Sequence, residues 1–244
     1  MEPPSDALAS LQRAVKKSQR SATVRFPISY VRRGDADSPT VARMLHGGRG
    51  GEVRLKVHLT LAMQATKHPY TLKARTARGI AIMLGLPDDL GTRRVNDALK
   101  WLDNEKLLLR TRHPGKPGEF ALLNPDGSGD AWPATQGARY LAVPIEMWSQ
   151  GWILKLNGRS LGVYLALIEL VGGRKNPDGE FMDAVRKRQY GFSDDTWTRA
   201  TKELEDLHLI VTTSELWGDD QLERRRRKRY LPVDLRDIGP ATWK

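Results

Sequence analysis

Arg93, Arg94, Asn96 and Lys100 are the residues of this sequence whose types and spacing most plainly suggest chemistry. Guanidinium forks match the O6/N7 edge of guanine, and a side-chain amide matches the N6/N7 edge of adenine. Two arginines and an asparagine at the head of one helix face are therefore donors suited to a major groove. The helix that would present them is set by apolar residues: Val95, Ala98, Leu99 and Leu102 recur at three- and four-residue spacing, with Thr92 placed to cap the start. An ordinary surface helix with solvated charges would look the same.

The stretch occurs twice, which decides between the two. Tyr190 to Arg199 repeats Leu84 to Arg93, matching Gly85 with Gly191, Asp88 and Asp89 with Asp194 and Asp195, Thr92 with Thr198 and Arg93 with Arg199. Upstream at the same offset, Leu55, Val57, Leu59 and Leu61 fall on Leu161, Val163, Leu165 and Leu167. One slipped residue later, Leu99 and Leu102 correspond to Leu204 and Leu207. Matched polar and apolar positions over such a length indicate an internal repeat. Thr198, Arg199 and Lys202 are then the contact candidates of the second helix, although Glu203, Glu205 and Asp206 make it more acidic and suggest a protein interface as the alternative.

The 244 residues suit two small domains, and the formal net charge of +11 points to an anionic partner. Nucleic acid fits better than a membrane surface. No apolar run approaches the ~20 residues needed to span a bilayer, and the start, with Glu2, Pro3 and Pro4, does not read as a signal peptide; a cytoplasmic, nucleoid-associated protein is expected. There are no cysteines, which excludes disulfides, thiolate metal sites and a thiol nucleophile. The five histidines are scattered, and no HExxH, GxSxG or kinase signature is present. The acid pairs Asp88–Asp89 and Asp194–Asp195 each precede a helix, where they serve a turn and complement the dipole more simply than they would serve a metal. No enzyme and no cofactor are expected.

Read in order, residues 1–45 form a basic arm, with a helix from Asp6 to Arg20 and a strand-like Val24, Phe26, Ile28 and Tyr30 interrupted by Pro27. Ser38–Pro39 offers a cap and a first helical residue, and Gly47 to Gly51 a hinge. Residues 46–125 form the first domain. Val53 to Leu61 alternate as a strand would, but the apolar character runs on through Ala65 and predicts a helix. Lys73, Arg75 and Arg78 lead into a second helix ending at Leu86, and the candidate contact helix follows. Leu107 to Arg112 and Glu119 to Leu123, joined by His113–Pro114–Gly115–Lys116–Pro117–Gly118, predict a hairpin carrying Arg110, Arg112 and Lys116. Three helices and a hairpin make a winged helix, whose wing places cations near phosphate or a minor groove. Residues 126–138 have the composition of a linker.

Residues 139–244 repeat the pattern. Trp148 and Trp152 near its start anchor a core more readily than they stack on bases. Its wing holds Arg224, Arg225, Arg226, Arg227, Lys228 and Arg229 ahead of a return strand from Tyr230 to Val233. Such a run is a solvated loop, a nuclear-localisation signal or a nucleic-acid contact; its place on the wing favours the last. The fold class expected is mainly α with small β-hairpins (α+β), as two winged-helix domains in tandem behind the arm.

Over residues 50 to 235 or so, this arrangement resembles the tandem winged-helix proteins encoded by plasmids and phages, the best described being replication initiators that bind origin repeats. The resemblance implies that Arg93, Arg94, Asn96 and Lys100, and then Thr198, Arg199 and Lys202, are contacts of two recognition helices. It implies double-stranded DNA as partner, with a homodimer and a replication or recombination protein left open. The reading is a non-enzymatic DNA-binding protein of a mobile element that initiates replication or regulates transcription. The alternative is a phage accessory factor of the recombination-directionality type, which binds and redirects a recombinase; an RNA-binding protein comes third.

Overall fold

A computed structural model of the chain describes residues 5–33, 38–46, 48, 50–73, 75–113, 116–133, 139–172, 176–217 and 225–243. It is a mixed α+β structure with small antiparallel sheets, and its elements in chain order are α1 (Ser5–Ser18), β1 (Thr23–Pro27), α2 (Thr40–Leu45), α3 (Gly51–Gln64), β2 (Thr71–Lys73), α4 (Ala77–Met83), α5 (Asp88–Asn104), β3 (Leu108–His113) and β4 (Lys116–Leu122). There follow β5 (Tyr140–Pro144), α6 (Glu146–Ser149), α7 (Trp152–Lys155), α8 (Gly158–Val171), β6 (Glu180–Phe181), α9 (Ala184–Gln189), α10 (Asp194–Asp206), β7 (Ile210–Trp217), β8 (Arg225–Pro232) and α11 (Leu235–Ile238). From α3 to β4 and again from α8 to β8 the order is α, β, α, α, β, β. The sheets share one strand order as well, β2-β4-β3 in the first unit and β6-β8-β7 in the second.

At the centre of each unit lies a helix that is buried nearly all round. In α3 only Glu52, Arg54 and Gln64 keep substantial exposure, and in α8 only Arg159 is fully exposed. That burial explains why Val53 to Leu61 alternate without forming a strand: a helix covered on every side has no face to mark by period. Lys56, caught inside, is satisfied by the Glu52 carboxylate at 2.7 Å and the Leu154 carbonyl at 3.5 Å. Val95, Ala98, Leu99 and Leu102 of α5 pack onto α3, and Trp197, Ala200 and Leu204 of α10 onto α8 and its sheet.

The segment expected as an arm is part of the core. Ala7, Leu11 and Ala14 of α1 are buried against α3, α4 and α6, and Arg20 donates from its guanidinium to the carbonyls of Met63 at 2.9 Å and Ala65 at 2.7 Å at the end of α3. Strand β1 pairs antiparallel with β5, at the head of the second unit. A short amphipathic helix and a lone strand cannot bury their apolar sides by themselves, so both are taken up where the units meet. The expected linker is likewise compact where described. Asn124 and Asp130 close a turn at 2.8 Å, Thr40 donates to the Pro125 carbonyl, and Trp132 is buried beside Phe26, His58 and Tyr70. One indole outweighs the Pro/Gly/Ser composition around it; residues 134–138 lie outside the described residues, as do Gly47 and Arg49 of the expected hinge.

Smaller differences concern element ends. Helix α5 begins at Asp88 behind Pro87, so Thr92 lies inside it and caps nothing, and α2 begins at Thr40 behind Pro39 without a side-chain cap. Helix α4 ends at Met83, and Gly85 turns the chain at a φ of +62°. Its counterpart Gly191 sits at +73°, where a Cβ would also lie 2.5 Å from that of Ala42; both turns require glycine.

Candidate nucleic-acid interface

In the first unit, α5 is held by its apolar side and turns the predicted residues outward. Arg93, Arg94, Asn96 and Lys100 are all exposed and make no ion pair or hydrogen bond among the described residues. Arg93, Asn96 and Lys100 form one stripe, being spaced by three and four residues. On the hairpin side of that stripe a cleft of about 200 Å³ brings Asn96 together with Arg75, Arg110, Thr111 and Phe120. Thr76, on the same rim, caps α4 by accepting from the Gly79 amide at 3.1 Å. Arg94 stands on the other flank with Asp97, beside Arg54, whose guanidinium lies 4.7 Å from the centre of the Trp101 ring. Lys73 and Arg78 are exposed, on β2 and in the first turn of α4. Arg112 and Lys116 belong to β3 and β4, and their side chains lie outside the described residues.

Sequence reasoning missed Arg54, because it belongs to a helix expected to be wholly core. The signal available was its place beside Glu52 on the one polar edge of that apolar run. It also missed β2 and β6, which are too short to show a period, and with them the third strand that braces each hairpin.

In the second unit the residues are differently spent. Thr198, Arg199 and Lys202 of α10 are exposed, but Arg199 is paired with Asp195 at 2.9 Å one turn earlier. Lys187 of α9 donates to Asp194 at 2.7 Å and holds that carboxyl below the usual carboxylate range. Glu203, expected on the outer face, turns inward and accepts from Asn157 and, at 2.8 Å, from Ser160 at the head of α8. Ser193 caps α10 by accepting from the Thr196 amide at 3.2 Å. Between α10 and the hairpin runs a cleft of about 740 Å³, lined by Thr198, Lys202, Glu205 and Asp206 on one wall and Arg226, Arg227 and Lys228 on the other.

The basic run is strand, not loop. It lies in β8, paired with β7 so that Thr213 faces Arg229, Ser214 faces Lys228 and Leu216 faces Arg226. Strand alternation sends neighbouring cations to opposite faces and divides the run. Arg226 and Lys228 are exposed. Arg229 instead donates to both oxygens of Glu215, at 3.1 and 3.2 Å, and stacks 4.0 Å over the Phe181 ring, which makes it a brace of the hairpin. Arg224 lies outside the described residues, as does the side chain of Arg225.

A buried carboxylate, met by two half-exposed arginines, fixes the turn that aims α10. The side chain of Glu169 is fully buried in α8, 2.8 Å from Arg139 and 3.5 Å from Arg32, and it accepts a hydrogen bond of 2.5 Å from the Tyr190 hydroxyl at the end of α9. Burial, then the bond to Glu169, raise the Tyr190 phenol well above its ordinary value, so it stays a donor. In the first unit the central helix buries His58 beside Lys56 and Thr60, with Nδ1 3.1 Å from the Tyr30 hydroxyl; burial pushes its imidazole down to about 4. Trp148 and Trp152 are core residues, as their size suggested. Among the described residues, no three acid or histidine side chains converge where they would hold a metal ion, and no helix is long and apolar enough to cross a membrane. No family model matches the chain, and no curated protein or solved structure is similar enough to indicate kinship.

Proposed function

We propose that the chain is a non-enzymatic, cytoplasmic protein of a mobile element that binds double-stranded DNA through two winged-helix units, to initiate replication or regulate transcription. The observation that carries this reading is the exposed stripe of Arg93, Asn96 and Lys100, with Arg94 beside it, on a helix flanked by a hairpin and by Arg75 and Arg110. A helix so flanked has the donors to read base edges and cations on both sides for the phosphates that bound the groove. The +11 charge supplies attraction of the same sign at longer range.

Selection of duplex sequences by the purified full chain tests it, followed by anisotropy titrations of Arg93→Ala and Arg94→Ala. Each substitution is expected to cost ~1–3 kcal/mol of discrimination between the selected site and a scrambled one, with the circular dichroism unchanged. If neither variant changes discrimination, α5 is not the reader. One observation favours the accessory-factor reading for the second unit: Arg199 and three of the five α10 carboxylates, Asp194, Asp195 and Glu203, are paired within the protein, which leaves a face of mixed charge suited to another protein. A partner recombinase or replication protein would then bind α10 while the first unit holds DNA.

A further inference from the structure

Resting on that DNA-binding reading, we infer that the two units engage one duplex in opposite polarity, so that the target is a pair of half-sites in inverted orientation with unlike sequences. The argument begins at the strand pair between the units. Strands β1 and β5 are equivalent: each ends in a proline followed by isoleucine, Pro27–Ile28 and Pro144–Ile145, and each leads through a helical turn to the central helix of its unit. They pair antiparallel with Val24 facing Val143, Arg25 facing Ala142 and Phe26 facing Leu141. Under the equivalence Val24 corresponds to Leu141 and Phe26 to Val143, so exchanging the strands returns the same set of pairs. That is the signature of a two-fold axis, here through the pair Arg25 and Ala142.

The central helices meet in the same way. Helices α3 and α8 touch at their N-terminal ends, where the Gly158 amide donates to Glu52 at 3.1 Å and a Cβ on Gly158 would come within 2.9 Å of the Glu52 Cα. The flanking contacts are exchanged as well: Lys56 of α3 reaches the Leu154 carbonyl of α7, while Gly162 of α8 lies against Val41 and Leu45 of α2. A translation from one unit to the next would instead set β1 parallel to β5. One buried apolar cluster runs through both units, so the relation is fixed by packing and not by a tether. A two-fold reverses every direction perpendicular to itself, and a duplex lying across both contact helices is met in opposite senses by α5 and α10. The half-sites differ in sequence because the helices do. Their correspondence is set by the residues they bury, Val95, Ala98, Leu99 and Leu102 on Trp197, Ala200, Thr201 and Leu204, and by the left-handed turns that follow at Lys106 and His208. Lys100 then falls on Lys202, but Arg93 is replaced by Asp195, Arg94 by Thr196 and Asn96 by Thr198.

The absence of cysteine makes the test direct, since a single introduced thiol is the unique labelling site. Asp89→Cys and Thr111→Cys in the first unit, and Asp195→Cys and Thr213→Cys in the second, each carry a tethered iron chelate. Each is bound to a duplex selected by the unmodified full chain from a random library of about 30 base pairs, which holds two half-sites one helical turn apart. The expected result is cleavage in mirror order, with helix and hairpin cuts running one way along the duplex in the first unit and the opposite way in the second. Cuts running the same way in both units, or cuts from the first unit alone, overturn the inference while leaving DNA binding in place. Failure of the unmodified chain to select any duplex overturns the binding reading itself. A second measurement needs no label: in the double variant Asp195→Arg, Thr198→Asn, with Lys202 already matching Lys100, the two helices present like stripes, and selection is expected to return a site closer to a palindrome. A direct repeat there overturns the inference.

Discussion

On α5 the cations Arg93, Arg94 and Lys100 stand in solvent, whereas around α10 Arg199 is held by Asp195, Lys187 by Asp194, and Glu203 is turned inward onto α8. The order of elements around the two helices is the same. The difference lies in how much free positive charge the contact helix keeps among the described residues, three cations on α5 against Lys202 on α10, where Arg226 and Lys228 of the hairpin stand across the cleft. A helix in a groove meets base edges, while a hairpin beside it meets mostly phosphate. On the proposed DNA-binding reading, one architecture thus supports a first unit richer in donors for base edges and a second that leans more on phosphate.

The largest effect expected from breaking this comparison comes from Glu169→Ala. It removes the partner of Arg139 in the second unit and of Arg32, which follows β1, and releases Tyr190 from the turn before α10. The cavity left in α8 and the unpaired hydroxyl of buried Tyr190 together cost about 3–5 kcal/mol, readable as a lowered midpoint in urea unfolding. The central helix of the first unit buries an imidazole, at a different position along it. Folding keeps His58 neutral down to a pH of about 4, while the unfolded chain accepts its proton near 6.5. The stability this confers is therefore whole above pH 6.5 and is lost as the pH falls toward 4, by an amount on the order of 3 kcal/mol. His58→Gln should flatten that part of the pH–stability curve, and an unchanged slope would assign it to another group.

Binding gives a finer contrast. Replacing Arg226 and Lys228 together by glutamine should reduce the slope of log K against log salt by about 1.8, or ~0.9 for each phosphate contact, with sequence preference retained. The substitutions in α5 should change preference more than slope, and equal effects in the two places would erase the division of labour. The smallest change expected is a gain. Asp195→Asn frees Arg199 from an exposed pair worth ~0.2–1 kcal/mol and should tighten duplex binding by roughly two- to fivefold at low salt. No tightening would mean that α10 does not approach the duplex.

The repeat, the central helices, the outward face of α5 and both hairpins were legible in the sequence because each rests on local spacing. Three things were not. The strand at Thr23–Pro27 shows its alternation but not its partner, since pairing with Tyr140–Pro144 is a long-range choice made by burial. The basic run reads as loop because arginine and lysine carry little strand preference, and only its register with Ile210–Trp217 makes it β8. The pairing of Arg199, Lys187 and Arg229 was hidden as well. A sequence shows charges, and their availability depends on which carboxylate stands one turn or one strand away.

Strand β1 also bears on how the molecule is made. Its partner lies more than a hundred residues further along the chain. At a synthesis rate of about 5–20 residues per second, Thr23–Pro27 would leave the ribosome roughly 5–20 s before Tyr140–Pro144. Through that interval α3 to β4 are complete in sequence, yet Phe26 and the apolar side of α1 lack part of the surface that covers them, and β1 offers an open edge to any other strand nearby. Closing so long a loop costs little more than closing one of half the length, about 0.6 kcal/mol per doubling, so the burden is one of timing rather than of stability. A nascent chain stalled before β5 would expose this edge, and neighbouring chains on one messenger would be the nearest strands able to take it.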